Sequence, residues 1–200
     1  MSVDWQARYE AKETPWDRGG PAPGLIAWLG DHRMHGRVLV PGCGHGHDLT
    51  ALAGSGADAV VGLDIAPAAV ALAGERCAGL PAVSLMEGDL FVLAGGPLRG
   101  SFDWVFEHTC YCAIPRERRA DYAAAVQAAL RPGGHLLAVF FLRPWDDHED
   151  QEQGPPFGTS TDSLDAMFAD GFELIDRWQP AAAYPGREGR EEMRLFRRRP

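Results

Sequence analysis

The residues able to do chemistry stand at the ends of successive apolar runs. Gly42, Gly44 and Gly46 fall in Val40-Pro-Gly-Cys-Gly-His-Gly-His-Asp48, between an apolar run and a helical pattern. Glycines at a strand-to-helix turn let the backbone bend sharply and approach a ligand closely. The spacing is G-x-G-x-G, and a dinucleotide fingerprint would need a further glycine at position 47, where the chain has His47. Asp64 ends the next run, where a carboxylate can accept hydrogen bonds from both hydroxyls of a ribose. Asp89 ends the third, placed to accept from an adenine amino group. Singly, each has an ordinary explanation: a steric turn, a helix-capping aspartate, a loop aspartate. Together they describe a nucleoside crevice with no phosphate to cradle. Glu107-His108-Thr-Cys-Tyr-Cys112 follows the fourth run on the same edge. Glu107 and His108 are the candidate catalytic groups there, against the plainer readings of a salt-bridging carboxylate and a satisfied loop histidine.

These residues need a scaffold that brings strand ends together. Apolar runs alternate with helical patterns along the chain, as in a parallel sheet covered by helices on both faces. Strands are expected at 37–40, 59–63, 83–86, 102–106 and 135–142, with a closing antiparallel pair at 172–178 and 192–199. Helices are expected at 47–53, 67–78, 116–130 and 163–170, the last capped by Thr161 or Asp162. Pro132-Gly-Gly134 reads as the stop of the third helix. The stretch 143–162, polar and rich in Pro and Gly, reads as an inserted loop. Residues 1–36 carry Trp5, Tyr9, Trp16 and Trp28, either as a helix pair packed on the sheet edge or as a lid over a ligand. Nothing resembles an interdomain linker, so 1–200 reads as a single domain.

The formal charge of −9 disfavours a phosphate backbone as partner, and Arg197-Arg-Arg199 reads as a solvated tail. No apolar stretch approaches the roughly 18 residues that span a bilayer, and the first residues lack the apolar core of a signal peptide. Cys43, Cys77, Cys110 and Cys112 form no C-x-x-C pair and are too scattered for a disulfide framework, which points to a reducing, cytoplasmic compartment. Cys110 and Cys112 make only a C-x-C pair at an expected strand end and are not read as a metal site.

The chain resembles the halide/thiol/thiopurine S-adenosylmethionine-dependent methyltransferases from about Trp5 to about Phe196. The motifs are Glu13-Thr-Pro-Trp-Asp17, Val40-Pro-Gly-Cys-Gly44, Gly62-Leu-Asp-Ile65, Gly88-Asp89, Tyr111-Cys-Ala-Ile114, Pro132-Gly-Gly134 and Gly154-Pro-Pro-Phe157. Pro185 to Arg190 is similar to the substrate-side segment of the halide/thiol branch. The resemblance implies a doubly wound, seven-stranded, mostly parallel class I methyltransferase sheet, Rossmann-like, with an N-terminal helical lid. It implies S-adenosylmethionine as cofactor, S-adenosylhomocysteine as product, and no metal. It places Trp5, Tyr9, Trp16, Gly42, Asp64, Asp89, Leu90 and His108 around the cofactor, and Tyr111, Phe141 and Arg187 on the acceptor side. His108 stands where the halide/thiol branch has Tyr and the thiopurine branch has Arg. Tyr9 stands where the halide/thiol branch has Trp.

In such an enzyme a nucleophile attacks the sulfonium methyl in line, and a dry aromatic surround favours a soft anion. A free thiol, with a pKa near 8.5, is only about 3% thiolate at pH 7. His108 is the candidate to take the proton or steady the anion, and Arg187 a second source of attraction. A small thiol or hydrosulfide is therefore the expected acceptor. A halide, a tellurium or selenium oxyanion, an oxygen acceptor, and a nicotinamide-dependent oxidoreductase stay as alternatives. The expected partner is a small molecule, with neither nucleic acid nor membrane, and the chain is expected as a monomer or weak homodimer.

Overall fold

The computed structural model describes residues 3–96, 98–146 and 154–200. Two short helices, α1 (Trp5–Glu10) and α2 (Pro23–Asp31), precede the sheet. Then follow β1 (Arg37–Pro41), α3 (His47–Gly54), β2 (Ala59–Asp64), α4 (Pro67–Arg76), β3 (Val83–Glu87) and β4 (Phe102–His108). The second half comprises α5 (Arg119–Ala129), β5 (Leu130–Phe141), α6 (Thr161–Phe168), β6 (Phe172–Trp178) and β7 (Glu191–Arg198).

The seven strands lie in the order β3-β2-β1-β4-β5-β7-β6. β1 to β5 pair in parallel, and β7 runs antiparallel to both β5 and β6. β1 and β2 are buried along nearly their whole length, as a sheet covered on both faces requires. One face packs Val105, Leu136 and Phe140 against Tyr122 and Val126 of α5 and Leu164 and Phe168 of α6. The other packs Val38, Val40, Val60, Phe106 and Leu137 against Leu25 of α2, Leu49 and Leu52 of α3, and Ala73 of α4. Strand order reverses between β1 and β4, and the crevice of a doubly wound sheet opens at the carboxyl ends beside that switch.

Several boundaries differ from expectation for local reasons. β4 runs on through Glu107 and His108, because the ladder to β5 continues to His108↔Val139. α5 starts at Arg119 behind a 3-10 turn at Arg116–Arg118, since Pro115 is extended and opens the turn. Pro132-Gly133-Gly134 is not a helix stop but an irregularity inside β5, which already pairs at Leu130 with Phe102. A Cβ at Gly134 would lie 3.0 Å from the carbonyl oxygens of Asp103 and Arg131, so the strand crosses there only without a side chain. α6 is capped by Ser160, whose hydroxyl accepts from Ser163 N at 3.1 Å, one residue before the expected cap. Of the expected inserted loop, residues 147–153 lie outside the described residues.

Candidate functional site

The glycine loop leaves β1 in a left-handed conformation at Gly42 (φ 60°), Gly44 (φ 53°) and Gly46 (φ 78°), and Gly46 caps α3. A Cβ at Gly42 would press on Cys110 at 3.0 Å, and one at Gly44 on the Tyr9 hydroxyl at 3.1 Å. The loop is thus glycine-rich for conformation and for close approach alike. Asp64, buried at the end of β2, ties this loop down: Oδ2 accepts from Gly44 N at 2.9 Å and Oδ1 from Ala66 N at 3.0 Å. Burial pushes its carboxyl pKa up against the pull of these hydrogen bonds. A carboxylate offers about four lone-pair sites, so two amides leave room for further donors. The end of β3 meets the same place, with Gly88 N donating to Asp64 O at 2.9 Å. Asp89 caps the following 3-10 turn by accepting from Phe91 N at 2.9 Å, and Leu90 is buried in the core below.

The N-terminal residues lie across this edge. Tyr9, Trp5 and Trp16 pack with Ala66, Ala68, Ala69 and Leu72 at the start of α4. Trp16 Nε1 donates to Tyr9 Oη at 3.2 Å, and the Trp5 and Trp16 rings meet edge-on at 5.3 Å. Asp17 reaches two histidines of the glycine loop, His47 at 3.0 Å and His45 at 3.4 Å. Arg18 donates to Pro185 O at 2.8 Å, so the segment bridges the loops after β1 and β6.

His108 is the last residue of β4 and faces the glycine-loop side. Its Nδ1 lies 2.9 Å from Asp48 Oδ2, and its ring stacks on Tyr184 with centroids 5.9 Å apart. Its Nε2 is buried without a hydrogen-bond partner among the described residues. Burial alone would pull this imidazole's pKa down. The charge and hydrogen bond of Asp48 outweigh it, with Glu191 helping and Arg187 opposing, and the net shift is upward. Arg187 is itself buried, its guanidinium 4.5 Å from the Phe141 ring centroid and 5.5 Å from that of Tyr184. Its Nη1 pairs with Glu191 at 3.3 Å. A narrow cleft of about 50 Å³ is lined by Trp16, Gly42, Gly44, Asp48, His108 and Tyr184 among others.

Two expected site residues face elsewhere. Successive strand residues point to opposite sides, so Glu107 turns away from His108 into the core beneath α5. There Oε1 accepts from Tyr111 N at 2.8 Å and Oε2 from the Tyr122 hydroxyl. With both oxygens engaged and the group 1% exposed, Glu107 cannot reach a substrate, and the catalytic expectation is corrected to that of an anchor for the turn after β4. Tyr111 is likewise a core residue, ringed by Tyr122 at 5.5 Å and Phe140 at 5.1 Å with Arg119 over its face at 4.4 Å. It is withdrawn from the acceptor side. Cys110 and Cys112 lie in the turn after β4 rather than on the strand end. Thr109 turns left-handed (φ 62°), Cys110 packs beneath Gly42, and Cys112 donates to Thr109 O at 3.3 Å.

Sequence reasoning passed over Asp48, Tyr184, Asp17 and Glu191 as functional residues. An acidic residue in the first turn of a helix has a sufficient local reason to be there, which hides Asp48. Tyr184 stands in an Ala-rich loop whose return to the crevice nothing local announces.

The strand order with its reversed β7, the glycine turn ending β1 and the acid ending β2 define a class I S-adenosylmethionine-dependent methyltransferase. The family profile described as thiopurine S-methyltransferase matches residues 1–188. The chain is 32% identical over 194 residues to thiocyanate methyltransferase 1 of Arabidopsis thaliana, covering 94% of this chain and 82% of that protein. It is 34% identical over 198 residues to probable thiol methyltransferase 2 of the same plant, covering 96% and 83%. Among solved structures, the one described as "Conversion of a Disulfide Bond into a Thioacetal Group during Echinomycin Biosynthesis" superposes with a TM-score of 0.78 at 25% identity, covering all of this chain and 93% of that one. The DhpI–SAH complex superposes with a TM-score of 0.70, also at 25% identity, covering 98% and 92%. The chain belongs to the thiopurine S-methyltransferase family. Among the described residues, no helix is long and apolar enough to cross a membrane.

Proposed function

We propose that this enzyme methylates the sulfur of a small thiol or hydrosulfide, and that His108 accepts the acceptor's proton at Nε2. The observation that carries this is a buried imidazole nitrogen with no hydrogen-bond partner among the described residues, on a ring that lines the cleft and is held by a carboxylate at its other nitrogen. A halide has no proton to lose, so a proton acceptor there suits a thiol. The names of the thiol and thiocyanate methyltransferase relatives agree with a soft acceptor.

The residue chemistry at the strand ends suits the cofactor. Gly42 and Gly44 leave the loop free of side chains, Asp64 keeps acceptor capacity for ribose hydroxyls, and Asp89 with Leu90 borders the same strand ends. Trp5, Tyr9 and Trp16 then act as an aromatic lid that excludes water, and Phe141 with Arg187 forms the acceptor side. Bound there, S-adenosylmethionine supplies an electrophilic methyl group. The chain's own contribution is alignment, a dry surround and proton removal, and the last of these is worth about 10²–10⁴-fold. The acidic surface suits a small acceptor rather than nucleic acid, and the four free cysteines suit a reducing, cytoplasmic compartment. Nothing in the mechanism needs a second subunit, in keeping with a monomer or weak homodimer.

Headspace analysis of reactions with hydrosulfide, alkyl and aryl thiols, iodide, tellurite and selenite tests the acceptor. Methanethiol from hydrosulfide, or thioethers from the thiols, should form faster than methyl iodide forms from iodide. Faster turnover of iodide or of an oxyanion than of every thiol would overturn the proposal.

A further inference from the structure

Asp48 holds the His108 ring, and it also stands at the junction of the site. It lies in the first turn of α3 and divides its two oxygens. Oδ2 holds His108 Nδ1 at 2.9 Å, while Oδ1 accepts from Ala22 N at 2.7 Å. Ala22 closes the segment that carries Trp16 and Asp17 across the glycine loop. On the other side of the imidazole, Tyr184 stacks on the ring and donates its hydroxyl to Gly20 O at 2.5 Å. Both groups that pack against His108 are therefore fastened to the backbone of residues 20–22.

We infer that Asp48 is a positioning residue that acts through His108, and that docking of residues 16–22 completes the proton acceptor. The inference rests on the reading of His108 as that acceptor. An ionised carboxylate only accepts hydrogen bonds, so Nδ1 carries the proton and the neutral ring presents a lone pair at Nε2. Without Asp48 either tautomer can form, and burial depresses the ring's basicity. The charged or titratable groups facing the ring are Asp48 from α3, Tyr184 and Arg187 from the loop after β6, and Glu191 from β7, while Glu107 of its own strand points to the opposite face. Asp48 alone among them bonds the ring. In the transfer, the acceptor's S–H proton passes to Nε2 and the sulfur's electron pair forms the new S–CH₃ bond. The pair of the broken methyl–sulfonium bond stays on the cofactor sulfur. Asp48 then faces an imidazolium, which it stabilises until the segment opens and the proton passes to water. The design ties proton removal to the closed state: with residues 16–22 undocked, Asp48 and Tyr184 both lose their second anchor.

Imidazole ¹⁵N spectra of the cofactor-free protein test this without turnover. In the wild type, His108 should show a protonated Nδ1 and an unprotonated Nε2, and should titrate above the ordinary value near 6.5. Asp48→Asn should lower that midpoint, mix the tautomers, and cut the ratio of thiol to iodide turnover about 10-fold or more. Ala22→Pro removes the N–H that Asp48 accepts and sets a ring carbon in its place, at a φ of −51° that proline accepts, and should shift the midpoint in the same direction by less. A wild-type ring protonated at Nε2, or an Asp48→Asn protein with unchanged midpoint and tautomer, would overturn the positioning role. An unchanged midpoint in Ala22→Pro would overturn the link to the segment. If Asp48→Asn does not fold, the wild-type tautomer decides alone. If the spectra are as expected while no thiol is methylated, Asp48's role stands and the acceptor reading falls.

Discussion

Glu107 and His108 are consecutive residues of one strand, both buried, both with a titration displaced by burial and neighbours, and they serve opposite sides of the sheet. Glu107 enters a sealed layer of aromatic rings, where Tyr122 and the Tyr111 amide take both its oxygens. Burial there pushes its pKa up to about 7, against the pull of those hydrogen bonds. His108 enters a wall of the crevice, where one nitrogen is held by Asp48 and the other has no partner among the described residues. A fully satisfied buried group fixes structure, whereas a half-satisfied one facing a cleft is poised to meet a ligand. The difference lies in which hydrogen-bonding capacity is left over, since burial and pKa displacement are common to both.

The comparison breaks most visibly if the two residues are removed in turn. His108→Asn keeps an N–H toward Asp48 but has nothing at the Nε2 position. Thiol kcat/KM should fall about 10²–10⁴-fold with little change in melting temperature. Retention of full thiol turnover would remove His108 from the chemistry. Glu107→Ala should do the reverse. It leaves the Tyr122 hydroxyl and the Tyr111 amide unpaired in the core, at a cost of about 3 kcal/mol, which lowers the melting temperature by roughly 10 °C. An unchanged melting temperature together with lost turnover would return Glu107 to the active site.

A smaller effect sharpens the contrast. Because Glu107's pKa is raised from 4.5 to about 7 on folding, its stabilising contribution is full below about pH 4.5 and is lost as pH rises through about 7. Glu107→Gln removes that titration while keeping an acceptor, so unfolding free energy should fall less steeply between pH 5 and 8 than in the wild type. Denaturant curves at several pH values measure this, and an identical slope in both proteins would contradict it.

Much of this was legible before any coordinates. Parallel strands buried on both faces are uninterrupted apolar runs, and each run here stops at a residue that shapes the crevice: Pro41-Gly42, Asp64, Gly88-Asp89, His108. That periodicity locates the strands and puts His108 at a strand end, whereas Arg187 comes from the family resemblance and from no periodic signal. Periodicity could not separate Glu107 from His108 in role. The reason Glu107 is spent is Tyr122, on a helix whose docking is a tertiary fact. Asp48 was hidden by its local fitness for a helix N-terminus, and Tyr184 by a loop with no periodicity. Pro132-Gly-Gly134 misled because the same residues that stop a helix also permit a strand to kink past Asp103.

The most direct test of the central claim is the rate of methylation of a thiol and of iodide by the wild-type protein as a function of pH. The imidazole accepts a proton only when neutral, and its pKa lies above the ordinary value near 6.5, so thiol turnover should rise as pH increases through that region. Iodide carries no proton, and its turnover should not rise over the same range. A thiol profile that is flat, or an iodide profile that climbs with it, would contradict proton acceptance by His108.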